Sequence, residues 1–265
     1  MDLNLNGKRA LVTGSTSGIG RAIALELAGL GAEVAVNGRS PERVDQAIRE
    51  MTGKVTSGRF LAAPGDVGVP EGLASVIKAV PEVDILVNNT GIFEPKPFFE
   101  IPDEDWRRFF DVNVLSGVHL SRHYAVRMVD KHWGRVVFVS SESAIQIPTE
   151  MIHYGTTKTA QLAVMRGLAE TVAGSGVTVN AVLPGPTLSD GVATFMRQMA
   201  PEGGEADLDA MGRAFIRENR PTSLIGRLIA PEEIANMVAY LCSPAASATT
   251  GTAVRVDGGV IRAIA

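Results

Sequence analysis

The chain has 265 residues and a mass of 28.0 kDa, and its 45% of hydrophobic residues suffice for a sizeable core near the upper size of one domain. The net charge of −4 and the pI of about 5.6 argue against a nucleic acid or an anionic membrane as partner. The single cysteine, Cys242, excludes an intrachain disulfide framework and, with no signal-peptide pattern at the start, predicts a cytoplasmic protein.

Strand and helix patterns alternate along the chain. Short apolar segments predict about seven strands, at 9–13, 34–36, 59–62, 85–87, 136–139, 177–182 and 253–256. Helical patterns lie at 21–30, 41–51, 103–131 (with Asp103 as N-cap), 154–173 and from Pro231 onward. Because several strands are continuously apolar, we predict an α/β fold, a Rossmann-like doubly wound parallel sheet with helices on both faces. No linker composition interrupts residues 1–265, which we interpret as one domain.

The segment 186–230 departs from this alternation. It carries Gly203-Gly204, several charges and three methionines, Met196, Met199 and Met211. A long insertion after the carboxyl end of a strand is a usual place for a lid, and a packed peripheral hairpin is the alternative. We interpret the segment as a substrate lid with one or two short helices.

A glycine-rich turn separates the first strand from the first helix. This setting is typical of a dinucleotide fingerprint, because the turn lets a pyrophosphate approach the helix N-terminus. The spacing differs from the common G-x-G-x-x-G, so a plain glycine-rich turn is the alternative. The residues expected to bind the cofactor here are Gly14, Ser15, Thr16, Ser17, Gly18, Ile19 and Gly20.

The end of the second strand, Asn37 to Ser40, bears on the type of cofactor. NAD sites usually place an Asp or Glu there to accept from the ribose 2′-hydroxyl, and this stretch has no acid. The guanidinium of Arg39 suits a 2′-phosphate, and Ser40 can donate a further hydrogen bond. We therefore predict NADP as the cofactor. NAD is the alternative, with Arg39 as a solvated loop cation.

Tyr154 and Lys158 lie four residues apart on a predicted helix and share one face. A neighbouring ammonium favours the phenolate, so we expect Lys158 to lower the tyrosine pKa from its usual value of about 10. Ser141 stands thirteen residues before Tyr154, after a buried strand. Alone, this spacing is common, and a solvated helix face is the alternative.

Together these motifs resemble the short-chain dehydrogenase/reductase family. They match its order and spacing over essentially the whole chain, in Thr13-Gly14-x-x-x-Gly18-Ile19-Gly20, Asn88-Asn89-x-Gly91, Asn113, Ser141, Tyr154-x-x-x-Lys158 and Pro184-Gly185. The resemblance implies an oxidoreductase that transfers a hydride between NADP(H) and a carbonyl or secondary alcohol. An NAD-dependent member of the family and a non-catalytic nucleotide-binding or scaffold protein are the alternatives.

The resemblance also implies four catalytic residues. Tyr154 is similar to the general acid that protonates the carbonyl oxygen, or the base of the reverse reaction. Lys158 matches the lysine that lowers the tyrosine pKa and binds the nicotinamide ribose. Ser141 corresponds to the residue that orients the substrate oxygen, so no metal is expected. Asn113 matches the asparagine that kinks its helix and holds a water in a proton relay.

Further cofactor contacts follow from the same resemblance. They concern the adenine, the adenosine ribose and the nicotinamide amide, and fall on Asp66, Val67, Asn89, Thr90, Gly91, Pro184, Gly185 and Thr187. Two positions depart from the family pattern. Thr90 replaces an alanine, which a small pocket accommodates with a hydrogen bond, and Ser17 stands where many NADP-preferring members carry a basic residue.

The family places its substrate beside the turn after Gly91, the stretch after Ser141 and the lid. The side chains that this chain supplies there are Ile92, Phe93, Glu94, Glu142, Gln146, Ile147, Met151 and Leu188. Inward-facing carboxyls would disfavour anionic substrates, and outward-facing, solvated carboxyls are the equal alternative. The resemblance further implies a homodimer or homotetramer formed through the helices at 103–131 and 154–173.

His119 and His123 stand four apart, as a pair of metal ligands does on a helix. No acid lies between them and no third ligand is evident, so we interpret them as helix-surface histidines.

Overall fold

A computed structural model of the protein describes residues 1–190, 192–193 and 207–264. These residues form one parallel sheet in the order β3-β2-β1-β4-β5-β6-β7. The strands are β1 Arg9–Val12, β2 Glu33–Gly38, β3 Arg59–Pro64, β4 Ile85–Asn88, β5 Gly134–Val139, β6 Val177–Pro184 and β7 Ala253–Val256. The predicted Rossmann-like doubly wound sheet is confirmed.

Helices cover both faces of the sheet. They are α1 Gly18–Gly29, α2 Pro41–Lys54, α3 Pro70–Ala79, α4 Asp103–Phe110, α5 Ser116–Asp130, α6 Ile152–Thr171, α7 Leu208–Asn219 and α8 Pro231–Cys242. Helix α3 was not among the predicted elements, although Pro70 starts it and the sheet-facing Leu73 and Val76 are spaced three apart. α1 begins three residues before the predicted start, so the glycine loop runs into its first turn.

The strands separate two cores, because successive side chains of a strand point to opposite faces. In β1, Val12 faces a cluster with α1, α2 and α8, whereas Leu11 faces a cluster with α3, α5 and α6. Burial on both faces explains why β1, β4, β5 and β6 are continuously apolar or nearly so.

The helix predicted over 103–131 is interrupted. A π-helical turn, Asp111–Leu115, joins α4 to α5 and contains the buried Asn113. Such turns widen the helix locally and are frequent at functional sites. The predicted N-cap was wrong by one residue: Pro102 has the extended backbone of a cap, and Asp103 is the first helical residue.

Part of the predicted lid is described. Helix α7 packs through Ile216 and Met211 on Leu228 and Leu188. The methionines at 196 and 199 and the glycines at 203 and 204 lie outside the described residues. The lid therefore stays a prediction. The single domain also stays a prediction, which the continuous sheet supports. Within the described ranges, none of the helices has the length and apolar character needed to cross a membrane.

Candidate active site

The predicted site residues follow the carboxyl ends of β1 to β6 or belong to the helices beside them. Because all strands run parallel, their carboxyl ends meet at one edge of the sheet, where β1 and β4 are neighbours although β2 and β3 lie between them in sequence. This is the position where the strand order reverses and where open α/β sheets form their clefts.

The loop after β1 turns tightly into α1. Gly14 and Gly18 have φ values of +62° and +55°, which residues other than glycine rarely adopt. A Cβ at Gly20 would collide with the Gly14 carbonyl oxygen. Asn89 fixes the loop from the neighbouring strand, since its Nδ2 donates to Thr13 O at 2.8 Å and to Gly14 O at 3.2 Å.

The N-terminus of α1 holds an anionic side chain. The Gly18 N–H donates to Oδ2 of Asp190 at 2.9 Å, and Arg21 pairs with the same carboxylate at 3.1 Å. The first N–H groups of a helix lack intrahelical partners, and the helix dipole adds a partial positive charge. The loop is thus arranged to bind an anion such as a phosphate.

The polar residues at the end of β2 differ in the contacts that they make. Asn37 is buried, accepts from Gly14 N at 3.1 Å and donates to Ala63 O at 2.8 Å, so it joins the loop to β3. Ser40 caps α2 and donates its proton to Oε2 of Glu42 at 2.5 Å. The Arg39 guanidinium is exposed and makes no hydrogen bond or ion pair to any described residue. It is therefore available to a phosphate.

The loop after β4 contains an unsatisfied hydroxyl. Thr13 Oγ1 accepts from the backbone N–H groups of Asn89 and Thr90, each at 2.9 Å. Thr90 Oγ1 is buried, and the hydrogen bond expected for it is not made with any residue that the structure describes. A buried hydroxyl without a partner beside a cleft is a group that a ligand can satisfy. Gly91 leaves room at Lys158, since a Cβ there would lie 3.4 Å from Nζ.

The remaining predicted cofactor contacts also lie at this edge. Asp66 follows β3 and accepts from Gly68 N at 2.9 Å, next to the buried Val67. Pro184 ends β6, and Gly185 passes so close to β7 that a Cβ would lie 2.7 Å from Asp257 O. The Thr187 hydroxyl donates to Gly185 O at 2.8 Å.

Tyr154, Lys158 and Ser141 lie together. Ser141 is near enough to the Tyr154 hydroxyl to act on its pKa, and Lys158 Nζ lies 5.7 Å from the centre of the tyrosine ring. Burial raises the pKa of Tyr154 to about 12, against the lowering effect of Ser141, and burial lowers the pKa of Lys158 to about 8. The expected lowering by Lys158 is not seen, since burial has the largest effect on the pKa of Tyr154. Nζ of Lys158 donates to Val139 O at 2.9 Å.

Asn113 ties three elements together. Its Oδ1 accepts from Ile92 N at 2.8 Å, and its Nδ2 donates to Ile92 O and Thr157 Oγ1, each at 3.0 Å. Its carbonyl oxygen accepts from Nε2 of the buried Gln161 at 2.5 Å. Gln161 was not among the predicted site residues. Its position three residues after Lys158, on the same face of α6, could have indicated that it lies near the site.

Two carboxyls of the predicted substrate region are paired with basic side chains. Glu94 pairs with Arg108 at 2.9 Å and with Lys96 at 3.2 Å. Glu142 is buried and accepts from the Ser141 hydroxyl at 2.5 Å and from Arg220 Nε at 3.1 Å. The sequence carried no signal for Arg220, because 78 residues separate it from its partner.

His119 and His123 each lie beside another group of the protein. His119 Nδ1 lies 3.5 Å from Arg122, and His123 Nε2 lies 3.2 Å from Pro81 O. Among the residues that the structure describes, no group of three or more His, Cys, Asp and Glu side chains is placed to bind a metal ion. His153 is buried against Phe109 and Trp106, and its burial lowers its pKa.

Comparison with known proteins identifies a family and several similar chains. A model of the family described as short chain dehydrogenase matches residues 8–200. The chain is 52% identical over its full length to all of the uncharacterized oxidoreductase YvaG of Bacillus subtilis strain 168. L-sorbose reductase from Gluconobacter frateurii, complexed with NADPH and L-sorbose, superposes with a TM-score of 0.90, 31% identity and full coverage of both chains. A 7α-hydroxysteroid dehydrogenase complexed with NADH and 7-oxo glycochenodeoxycholic acid superposes with a TM-score of 0.84 and 30% sequence identity. The match covers 100% of this chain and 98% of the other.

Proposed function

Because the chain belongs to the short-chain dehydrogenase family and is an NAD(P)-dependent dehydrogenase or reductase, we propose that it transfers a hydride between NADP(H) and a carbonyl or secondary alcohol group. The observation that carries this proposal is the meeting of Tyr154, Ser141 and Lys158 at the edge of the sheet that also bears the glycine loop. The similarity to a reductase complexed with NADPH and L-sorbose supports a carbonyl substrate.

The residues present fit a dinucleotide. The tight loop at α1, the carboxylate already bound there by Gly18 N and the unsatisfied Thr90 hydroxyl together suit a pyrophosphate and a ribose. When bound, the nicotinamide supplies or accepts the hydride. We propose that the residues that hold the cofactor are Gly14, Ser15, Thr16, Ser17, Gly18, Ile19, Gly20, Arg39, Ser40, Asp66, Val67, Asn89, Thr90, Gly91, Tyr154, Lys158, Pro184, Gly185 and Thr187.

In this proposal Tyr154 transfers the proton. With a pKa of about 12 the phenol is protonated at neutral pH, so it is ready to donate to a carbonyl oxygen that gains negative charge. Ser141 stabilises the same oxygen with a hydrogen bond. Lys158, with a pKa of about 8, is mostly charged at pH 7 and places a positive charge near the developing phenolate. Asn113 holds the loop after β4 against α6.

The test of this function is the oxidation of NADPH, followed at 340 nm, with a panel of ketones and aldehydes, and the reduction of NADP⁺ with the matching alcohols. We expect turnover of at least one ketone–alcohol pair in both directions. Tight nucleotide binding with no turnover of any compound would refute the proposal and favour a non-catalytic nucleotide-binding protein.

Asp190 competes with the cofactor in this proposal, because its carboxylate accepts from the Gly18 N–H that a pyrophosphate requires. We expect Asp190→Asn to lower the Kd for NADPH by about three- to tenfold, since like charges at one anion site repel. Fluorescence titration of the bound dihydronicotinamide measures the Kd.

Glu50→Gln is the matched control for this variant. Glu50 also pairs with Arg21, at 3.4 Å, but it does not accept from Gly18 N. We expect an unchanged Kd for Glu50→Gln. An unchanged Kd for Asp190→Asn would show that the carboxylate and the cofactor do not share the site.

We make three further proposals, which concern the oligomeric state, the lid and the location of the protein. We propose a homodimer or homotetramer formed through α5 and α6, whose outer faces line an apolar groove that includes Val126, Val129, Val164 and Leu168. Val126 is 61% exposed although it is aliphatic.

We propose that the described part of 186–230 covers the substrate. We also propose that the protein is cytoplasmic, as the single Cys242 suggests.

A further inference from the structure

Glu142 is a buried carboxylate in contact with the serine of the proposed site. Only 6% of its side chain is exposed. Its Oε2 accepts from Ser141 Oγ at 2.5 Å, from Ser143 N at 2.8 Å and from Ser143 Oγ at 3.1 Å. Its Oε1 accepts from Arg220 Nε at 3.1 Å. Four donors therefore hold this carboxylate in one orientation.

The arrangement directs the hydroxyl proton of Ser141 away from a substrate. A serine hydroxyl has one proton, and here it is donated to Glu142. The proposed function needs the same proton at the carbonyl oxygen. A simple ketone offers only an acceptor, so Ser141 can bind it only by giving up a charge-assisted hydrogen bond, which is stronger than a neutral one.

A hydroxyl on the carbon next to the carbonyl removes this conflict. A carbonyl oxygen bound by Ser141 lies about 2.8 Å from Oγ, and Oγ lies 2.5 Å from Glu142 Oε2. An oxygen on the adjacent carbon can therefore lie within hydrogen-bond distance of the carboxylate. It donates to Glu142 in place of the serine, and the Ser141 proton becomes available to the carbonyl oxygen.

We propose that Glu142, oriented by Arg220, selects substrates with a hydroxyl on the carbon next to the reacting carbonyl, which are α-hydroxy ketones in reduction and vicinal diols in oxidation. This inference rests on the proposed function. In reduction the carbonyl carbon accepts a hydride from NADPH and its oxygen accepts a proton from Tyr154, so the C=O double bond is replaced by a C–H and an O–H bond. The ketone is reduced to a diol, NADPH is oxidised to NADP⁺, and the α-hydroxyl keeps its proton.

Arg220 is the positioning residue in this arrangement. Its side chain is 15% exposed, donates to Glu142 and lies 3.5 Å from Glu150 Oε1. The guanidinium compensates the buried charge of Glu142, which would otherwise be costly to desolvate. Because Arg220 follows α7, it also links the segment 207–230 to Ser141 through Glu142.

The experiment compares 2-hydroxycyclohexanone with cyclohexanone, using NADPH as reductant. In the wild type we expect kcat/KM to be at least about tenfold higher for the hydroxy ketone, because only this substrate replaces the bond between Ser141 and Glu142. Glu142→Gln should lose most of this ratio, since a carboxamide accepts more weakly than a carboxylate. Glu150→Gln is the matched control. Glu150 also lies beside Arg220 but does not bond Ser141, so the ratio should be kept.

Calorimetric titration gives a readout without turnover. Wild type should bind 1,2-cyclohexanediol at least about tenfold more tightly than cyclohexanol, and Glu142→Gln should bind the two alike. This ratio decides the question if neither cyclic ketone is turned over. Equal kcat/KM for the two ketones, or equal affinities for the two alcohols, in the wild type would overturn the selection and leave the proposed hydride transfer intact. Failure of the whole panel of ketones and alcohols would instead overturn the hydride transfer.

Discussion

Tyr154→Phe is expected to lower kcat for ketone reduction by about 10³-fold while the Kd for NADPH stays within about twofold. The substitution removes only the phenolic oxygen, and general acid catalysis by a positioned group typically contributes 10²–10⁴-fold. The ring stays, with its edge contact to Phe93 at 6.3 Å between centroids, so the cleft keeps its shape. Steady-state kinetics measures the loss, and fluorescence titration measures the affinity.

Tyr240→Phe is the matched control for this prediction. Tyr240 lies in α8 and packs against the core cluster that includes residues of α1 and α2, a cluster to which Ser141 does not belong. Loss of its hydroxyl should leave kcat unchanged. Wild-type rates in Tyr154→Phe would refute the role proposed for Tyr154 as the proton donor. A loss of NADPH binding would instead indicate that the hydroxyl acts in cofactor binding.

Arg39→Ala is expected to raise the Kd for NADPH by about 10- to 100-fold and to leave the Kd for NADH nearly unchanged. A hydrogen bond to a charged group contributes about 1.5–3 kcal/mol, and only NADPH carries the 2′-phosphate that would accept it. The guanidinium is exposed and has no described protein partner, so its removal disrupts no other contact. Parallel titrations with the two dinucleotides measure the effect.

Arg49→Ala controls for net charge. Arg49 lies on the exposed side of α2, so the variant loses the same charge without changing the loop after β2. We expect it to keep the wild-type Kd for both dinucleotides. If wild type binds NADH more tightly than NADPH, the preference for NADP is wrong, and the cofactor is NAD with Arg39 as a solvated cation.

Local sequence patterns predict the cofactor preference only in part. The missing acid at the end of β2 and the presence of Arg39 can be read from four consecutive residues. The structure adds that Ser40 donates to Glu42 while it caps α2, which weakens its case as a second phosphate donor. The similar structures include one with NADPH and one with NADH, so the titrations remain the deciding measurement.

The sequence by itself determined the features that depend on near neighbours in the chain. The apolar segments predicted the seven strands, the glycines at 14, 18 and 20 predicted the turn into α1, and the four-residue spacing placed Tyr154 and Lys158 on one face of α6. Steric limits on the backbone and the periods of helix and strand act over a few residues, so they can be read locally.

Only the tertiary structure decided the environment of those groups. Burial raises the pKa of Tyr154, although its helical neighbour Lys158 alone predicted a lower value. The Thr90 hydroxyl has no partner among the described residues, and Glu142 accepts from both Ser141 and Arg220. Desolvation and pairing depend on which surfaces the folded chain brings together, and a contact across 78 residues has no period or motif in the sequence.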